Sequence, residues 1–501
     1  MSVPHVSLKL CGRAGKFVLC PAVLILLSAA LLFRPTESAH GRASAPVSLT
    51  GAAARAYLEG QGLDARLAQR TKLTVTDGAA NDQFGSAVAV SGETAVVGAP
   101  GADGPVRSET QGPIADQGAA YTFGCGFVEQ QMLSPRAASP GDQIGLAVAV
   151  DGDTAVVGAP GFDEGTVKNR GTAYVFVRRD GVWTEQAQLA GTFGYIGDEF
   201  GRAVAIAGNT IVVGAPLDDF TGRMDNGTAY VFVRSGTTWR EQTRLSAADG
   251  ANGDLFGAAV ATSGDRAAVG AYGADVDGKA DQGAVYLFTR AGGPWTPEIK
   301  RTANDGASGD QFGRAVALDR AVLLAGAPAA KVGNNEDQGA AYVFGETIAV
   351  FQAPVKLTAA DGAANERFGS AVALDGGTAL VGAPQAKVSQ GAAYVFVNRS
   401  TPIIQRWPLQ AKLTARDGPH SDLFGWAVAI SDDTAVIGAI VSSFSILQTK
   451  ESAYVFARSD TRWTEQQPLT FAGATPQEDF GAAVSAERAE RRQYDHRRLG
   501  Q

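Results

Sequence analysis

The chain has 501 residues, of which 62 are glycine, 45% are hydrophobic and 19% are charged, and its formal net charge is −8. This length exceeds what one compact core organises, so several domains or one repetitive array are expected. The ordinary apolar fraction excludes a wholly disordered chain, and glycine at nearly twice its usual share of about 7% indicates frequent turns. Together these features favour an all-β chain of short strands.

The charge is unevenly distributed along the chain. Residues 1–45 carry +4 and residues 486–501 carry +2, which leaves −14 on the stretch between them. A body this acidic repels phosphate backbones, so nucleic acid is not expected as a partner. Cations and basic surfaces are better candidates.

The N-terminal segment has the layout of an export signal. Three basic residues, Lys9, Arg13 and Lys16, precede the apolar run Phe17–Phe33, and small residues follow at 38–39. This order predicts a cleaved signal peptide over residues 1–39 and a linker over 40–66. An uncleaved anchor is the alternative, although the run is slightly short for a membrane span. No other segment could cross a bilayer, so we expect a secreted, cell-surface or periplasmic mature chain.

A three-part motif recurs through the rest of the chain, 60 residues apart once and then 56 residues apart. Its first part is Phe-Gly (Ile-Gly once), its second is Gly-Ala-Pro or a near variant, and its third is Ala-Tyr-Val-Phe or close to it. The first part begins at Phe84, Ile144, Phe200, Phe256, Phe312, Phe368, Phe424 and Phe480. The second begins at Gly98, Gly158, Gly214, Gly270, Gly326, Gly382 and Gly438. The third begins at Ala120, Ala173, Ala229, Val285, Ala341, Ala393 and Ala453.

Each unit predicts four β-strands. Residues 87–90 alternate with a period of two, and an Asp-Gly turn such as Asp151-Gly152 suits a tight hairpin to the second strand. A longer loop leads to the third strand, and a fourth carries stretches such as Trp183–Leu189. Such a unit cannot bury both faces alone, so we predict radial packing into an all-β β-propeller. A linear solenoid is the competing arrangement, although four-stranded repeats of this length rarely stack in lines.

Phe-Gly, Gly-Ala-Pro and Ala-Tyr-Val-Phe in this order resemble the FG-GAP repeat of the integrin α-subunit head and of many bacterial surface proteins. The resemblance covers residues 67–485. It implies a propeller of four-stranded blades, and a protein that is secreted or lies on the cell surface. Function does not follow from the fold, because propellers host many chemistries.

The two ends of the repeat region bear on ring closure. Lys72-Leu73-Thr74 copies a fourth strand, so the chain opens with a spare one, while seven complete units end in the start of an eighth at Phe480. Seven or eight blades are therefore expected. Residues 486–501 lose the pattern, and we hypothesise a frameshift, since Arg492–Gln501 read one nucleotide later can resemble the missing second strand. A divergent natural tail is the alternative.

Candidates for nucleophilic chemistry are scarce. His420 is the only histidine within the repeats, and Cys125 is the only cysteine after the predicted signal. The repeats therefore contain too few histidines and cysteines to favour a Ser-His-Asp or Cys-His nucleophile, and a histidine zinc site is not expected. Cys125 is interpreted as a small buried residue rather than a reactive thiol. No catalytic residue is assigned.

Carboxylates are the remaining functional groups. Two acids five residues apart precede the Phe-Gly pair in five units. They either cap their own turns or ligate calcium, and their repetition favours the structural role. The pairs are Asp77 and Asp82, Asp249 and Asp254, Asp305 and Asp310, Asp361 and Glu366, and Asp417 and Asp422.

One loop is the best single candidate for a cation. Asp275, Asp277 and Asp281 partly resemble the calcium loops of the integrin head, although Lys279 intrudes and the third ligand is displaced. The resemblance implies calcium as the cofactor of these three residues. Solvated turn residues are the alternative.

The sequence favours a non-enzymatic binding propeller that mediates adhesion or recognises a protein or glycan through its loops. Those loops vary most in length, and variable loops on a rigid scaffold are a common place for recognition. A secreted glycosidase-like hydrolase with paired carboxylates on the propeller face is one alternative. A structural surface scaffold is another. Paired acids in one pocket would favour the hydrolase.

Overall fold

The structure is a computed structural model. It describes residues 10–11, 18–19, 87–92, 94–105, 114–124, 129–290, 292–345, 353–398, 406–415, 423–439, 452–459, 462–470 and 484–487. Within these ranges the chain forms seven blades of four antiparallel strands, each with its strands in sequence order, and the sheet of the first blade includes a fifth strand from the end of the chain. The sheets are the blades of a propeller, which confirms the predicted fold class.

The blades follow one another along the chain, and each runs from an inner strand at the axis to an outer strand at the rim. Blade 1 contains Val88–Ser91, Thr94–Ala99, Ala119–Phe123 and Glu129–Leu133. Blade 2 contains Ala147–Asp151, Thr154–Ala159, Thr172–Arg179 and Val182–Leu189. Blade 3 contains Ala203–Ala207, Thr210–Ala215, Thr228–Ser235 and Thr238–Leu245. Blade 4 contains Ala259–Thr262, Arg266–Ala271, Ala284–Thr289 and Thr296–Arg301.

The last three blades repeat the same order. Blade 5 contains Ala315–Asp319, Val322–Ala327, Ala340–Gly345 and Val355–Leu357. Blade 6 contains Ala371–Asp375, Thr378–Ala383, Ala392–Val397 and Leu409–Leu413. Blade 7 contains Ala427–Ser431, Thr434–Ala439, Ser452–Ser459 and Arg462–Thr470.

Burial follows the position of a strand in its blade. The second strand of blade 3, Thr210–Ala215, is buried at every residue, because neighbouring blades cover both of its faces. That is why it reads as a continuous apolar run. The outer strand Thr238–Leu245 is mostly exposed or half-buried and buries only Trp239 and Leu245. The apolar residues are therefore concentrated where two blades meet.

Aromatic residues of the first and third motif parts form the contacts between blades. Phe256 packs edge-on against Tyr286, with ring centroids 5.5 Å apart, and against Phe288 at 6.1 Å. The same cluster includes Val212 and Val231 of the preceding blade. Phe200, Phe312, Phe368 and Phe424 make the equivalent pairs.

The two recurring glycines form a joint between successive blades. Gly257, with φ +97°, turns the chain into the inner strand of blade 4 and donates its N–H to the Gly270 carbonyl oxygen at 3.0 Å. A β-carbon on Gly214 of blade 3 would overlap the Gly257 carbonyl oxygen, so glycine there permits close approach of the two backbones. The same overlap recurs for the pairs Gly98–Gly145, Gly158–Gly201, Gly270–Gly313, Gly326–Gly369 and Gly382–Gly425.

A second set of hydrogen bonds joins the inner strands at the opposite end. The residue at the end of one inner strand, or directly after it in blade 4, accepts a backbone N–H from the hairpin turn of the next blade. Asp151 accepts from Gly208 at 2.6 Å, and Ser263 accepts from Arg320 at 3.0 Å. Asp319 accepts likewise from Gly376 at 3.0 Å. Recurring polar residues thus hold the blades in register.

A further strand lies inside the ring. Val484–Glu487 pairs in parallel with the inner strand Val88–Ser91 and also approaches the inner strand of blade 7. It is the inner strand of the eighth unit and extends two residues beyond the predicted boundary at residue 485. Blade 7 has an outer strand of its own, and the predicted spare strand at residues 72–74 lies outside the described residues.

Other regular elements are short. Phe220–Gly222 and Ala386–Ser389 form single turns, each between the second and third strands of its blade, and Lys387 and Val388 have left-handed backbone angles. Leu10–Cys11 and Val18–Leu19 pair antiparallel. No helix in the described part of the chain is long and apolar enough to cross a membrane.

Candidate functional site on the loop face

Two sets of connections open on the same end of the propeller, which we call the loop face. One set joins the second and third strands of a blade, and the other joins an outer strand to the next inner strand. Parallel bridges such as Gly171 to Phe200 tie the two sets together across neighbouring blades. The short hairpins lie at the other end, the turn face. The longest and most varied connections are therefore gathered on one surface.

In the three described pairs the second acid is buried in the loop face, as are Asp142 and Asp198 at the same position of units that lack the first acid. Asp254 is 3% exposed, and its Oδ2 accepts the Ala251 N–H at 2.9 Å. Burial raises the pKa of Asp254, and it raises the pKa of Asp142 and of Asp198 to about 6. The equivalent amide bonds reach Asp142, Asp198 and Asp310. These acids close their own turns.

In the three described pairs the first acid joins two blades. Asp361 follows the outer strand of blade 5 and accepts hydrogen bonds from the Tyr394 hydroxyl at 3.0 Å and Lys412 Nζ at 2.6 Å, both in blade 6. The bond from Lys412 lowers the pKa of Asp361 although burial opposes it. We call this arrangement the Asp–Tyr–Lys clamp. It recurs as Asp249, Tyr286 and Lys300, and as Asp305, Tyr342 and Lys356.

The paired acids of the described residues therefore have structural partners, as their repetition predicted. The cavity along the propeller axis is lined by no carboxylate from the part of the chain that the structure describes. A glycosidase needs two carboxyl groups facing one substrate site. The described lining of this cavity does not supply such a pair. The pairs Asp77 and Asp82, and Asp417 and Asp422, lie outside the described residues.

The predicted calcium loop lies on the loop face of blade 4. Asp275 Oδ1 accepts the Asp281 N–H at 3.0 Å, and Val276 pairs with Lys279 in a two-residue bridge. Asp277 has φ +51°. The same side-chain to backbone bond joins Asp219 to Asp225 and Asp163 to Asn169. Asp275 thus closes its loop as the equivalent residues do.

No group of three or more His, Cys, Asp or Glu side chains among the described residues is gathered as a metal centre. Calcium binding by Asp275, Asp277 and Asp281 stays a prediction. Cys125 and His420 lie outside the described residues.

Two described blade interfaces lack the clamp. Between blades 1 and 2, Ala137 and Gln188 take the positions of the acid and the lysine. The interface between blades 2 and 3 carries aromatic residues. Phe193 occupies the position of the first acid between blades 2 and 3, and Arg244 occupies that of the lysine. The Arg244 guanidinium lies 4.8 Å from the Phe193 ring and 4.0 Å from the Phe220 ring. The Tyr230 hydroxyl lies 2.8 Å from the Phe193 carbonyl oxygen, so the blades still meet here. The charged clamp is replaced by a cation–aromatic stack.

Exposed apolar side chains are concentrated on the loop face. Tyr195 and Ile196, directly after this stack, are 63% and 71% exposed. Of the eight large apolar side chains that are exposed among the described residues, six lie in loop-face connections: Phe193, Tyr195, Ile196, Met224, Val388 and Trp426. Only Val182 and Leu409, next to hairpins between third and outer strands, lie toward the turn face.

The inner strands surround a cavity of about 330 Å³ on the propeller axis. Its deeper wall is mainly alanine and valine from the inner strands. Among the described residues, its rim on the loop face is formed by the residue that follows the Phe-Gly or Ile-Gly pair in blades 2 to 7, and these residues differ from blade to blade. They are Leu146, Arg202, Ala258, Arg314, Ser370 and Trp426.

These rim residues were not singled out from the sequence. In the sequence they occupy the position after a glycine that is present in every unit, and the residue type at this position differs between units. Nothing in one sequence shows that such a position faces the axis rather than solvent. Only the closed ring brings Arg202 and Arg314 to one cavity, because 112 positions separate them in the numbering.

The family model of the FG-GAP repeat matches residues 67–123, 127–176, 183–232, 239–288, 295–344, 352–396 and 407–456. The chain therefore belongs to the FG-GAP repeat family. Each of the last six matches takes the outer strand of one blade with the first three strands of the next, so family unit and blade are offset by one strand. No curated protein matches the chain.

Proposed function

We propose that this propeller is a binding module that recognises a protein ligand through its loop face. The observation that carries the proposal is the concentration of exposed apolar side chains on that face. Aromatic residues and methionine are enriched in the cores of protein interfaces, and exposed apolar groups of this kind often mark interaction sites.

The part of the loop face around Phe193 supports this proposal most directly. At three other described interfaces the Asp–Tyr–Lys clamp joins the blades. At this interface a structural acid is replaced by an aromatic residue, and two exposed apolar residues follow it. Arg244, between Phe193 and Phe220, restricts the aromatic ring before any ligand binds. A pre-ordered aromatic anchor loses less entropy on binding.

Adhesion and secretion belong to the same proposal. They are supported by the N-terminal segment of residues 1–39, whose order of basic and apolar residues is typical of export signals. A glycan ligand is the second candidate, supported by Trp426 on the rim of the axial cavity, since carbohydrate rings stack on aromatic side chains. A structural scaffold would need no such exposed surface.

A protein and glycan array tests the proposal with three forms of the chain. Wild type should bind protein spots, and Ile196→Ser should lose most of that signal, because Ile196 is exposed and its loss leaves the blades intact. Val182→Ser is the matched control, since Val182 is 56% exposed next to the turn face. Binding unaffected by Ile196→Ser, or lost equally in Val182→Ser, would contradict the proposal.

A further inference from the structure

We infer that the rim of the axial cavity is a carboxylate-binding site that takes an acidic side chain of a protein ligand next to an apolar one. The inference rests on the proposed function and specifies the chemistry of the ligand. It starts from the two arginines, Arg202 and Arg314, which line the same cavity from blades 3 and 5. The residue between them in the ring is the small Ala258.

Arg314 is held in place without a carboxylate. Its guanidinium lies 4.4 Å from the centre of the Tyr272 ring. Tyr272 stands where most units have the proline of Gly-Ala-Pro, so two departures from the repeat meet in one contact. In the described part of the chain no acidic group lies within ion-pair distance of Arg314. Stacking on an aromatic face leaves the N–H groups of an arginine available for a ligand.

Arg202 is only weakly paired. Its Nη1 lies 3.8 Å from Glu199 Oε2, beyond hydrogen-bond distance, and its side chain is 48% exposed. An exposed pair at this separation contributes little, so a ligand carboxylate can compete with Glu199. Elsewhere, arginines such as Arg178 have direct carboxylate partners, in this case Asp153 at 2.8 Å. The two rim arginines therefore differ from the arginines that join strands.

The charge of the rim opposes that of the body. The repeat region carries a strong negative charge, whereas the described cavity lining holds two arginines and no acid. A cleft lined by one sign of charge over low-dielectric walls focuses its field and attracts the opposite charge. Carboxylates fit the planar fork of arginine in two parallel hydrogen bonds.

The deeper wall indicates what accompanies the carboxylate. It consists mainly of alanine, valine and leucine side chains, with Thr262 as the hydroxyl below the rim and Ser370 on it. A sugar would leave most of its hydroxyl groups without partners on such a wall, which is costly. An aliphatic side chain leaves none. A cavity of about 330 Å³ is also large enough for side chains of a peptide segment.

Fluorescence anisotropy with labelled peptides tests the inference. The probe is a capped peptide pool, Gly-Xaa-Leu-Xaa-Gly, in which Xaa is glutamate, and the matched pool has glutamine at the same positions. We expect the glutamate pool to bind wild type at least tenfold more tightly than the glutamine pool. The double variant Arg202→Gln/Arg314→Gln should lose at least tenfold in affinity for the glutamate pool and little for the glutamine pool.

Arg240→Gln is the matched control, because Arg240 is exposed on an outer strand and away from the cavity. It should bind the glutamate pool as wild type does. Equal binding of the two pools, or unchanged binding by the double variant, would overturn the inference. Binding of oligogalacturonate in place of both pools would also overturn it, in favour of an acidic glycan. The Ile196→Ser array result is independent of these outcomes and separates failure of the inference from failure of the proposed function.

Discussion

The carbonyl oxygen of Gly257 lies over the α-carbon of Gly214, in the space that a β-carbon on Gly214 would occupy. The two glycines belong to different blades and to different parts of the repeat. Gly257 needs its positive φ, whereas Gly214 needs only the absence of a side chain. Recurrence of both parts of the motif follows from one contact between successive blades.

The first prediction concerns this contact. Gly214→Val should lower the free energy of unfolding by on the order of 3 kcal/mol, because the blades must separate to admit the side chain. Gly293→Val is the control, since Gly293 has open space around it and no positive φ, and should cost less than about 0.5 kcal/mol. Urea midpoints measure both. Equal midpoints for the two variants would show that the blades can move apart freely.

Loop aspartates should cost less than this glycine. Asp219→Ala removes one exposed hydrogen bond to the Asp225 N–H, worth about 1 kcal/mol at most. Urea midpoints again give the comparison. A loss for Asp219→Ala that matches Gly214→Val would mean that the acidic loops, rather than the glycine joints, hold the ring together.

The Asp–Tyr–Lys clamp gives the next prediction. Tyr342→Phe removes the hydroxyl that donates to Asp305 at 2.8 Å and keeps the buried ring, so it should cost about 1–2 kcal/mol. Tyr195→Phe is the control, because Tyr195 is exposed on the loop face, and its stability should not change. Thermal unfolding followed by circular dichroism measures both. A Tyr342→Phe variant as stable as wild type would contradict the structural role of the clamp.

Much of this fold could be predicted from the sequence, because the same three-part motif occurs seven times in it. Repetition also favoured the structural role of the acid pairs, as Asp305 and Asp310 illustrate. Their partners could not be predicted. Asp305 meets Tyr342 and Lys356, 37 and 51 residues later, and only the packing of one blade on the next brings these together.

The binding surface was harder to predict for the opposite reason. Repeats show what holds the scaffold together, whereas recognition depends on positions that do not repeat. Phe193, Tyr272 and Arg314 each read as an isolated departure in the chain. Their meaning comes from the ring, which stacks Arg314 on Tyr272 and places both arginines at one cavity.

Calcium binding by Asp275, Asp277 and Asp281 can be tested by thermal unfolding with calcium and with a chelator. A site occupied only in the native state should stabilise it by about 3 kcal/mol at a hundredfold excess of calcium over its Kd. Asp281→Asn should abolish that gain, and Asp225→Asn, at the equivalent position of blade 3, should retain it. The same unfolding midpoint in calcium and in chelator would show that the three aspartates are turn residues that do not bind calcium.

The last prediction concerns the buried acids Asp142 and Asp198, whose pKa burial raises to about 6. An aspartate in the unfolded chain has a pKa near 3.8, so between about pH 4 and pH 6 the native state binds protons that the unfolded state has released. Stability contributed by these groups is therefore complete below pH 4 and is lost as the pH rises to 6.

Asp198→Asn keeps an oxygen that accepts the Tyr195 N–H and cannot ionise. Relative to wild type, the variant should gain about 1–2 kcal/mol between pH 4 and pH 7, allowing for partial solvent screening. Asp180→Asn, at an exposed turn whose φ of +52° asparagine also adopts, is the control and should show no such gain. Urea midpoints across this range measure all three proteins. Parallel curves for wild type and Asp198→Asn would mean that the pKa of Asp198 is no higher in the native state than in the unfolded chain, and that the turn holds a charged carboxylate below pH 6 as well.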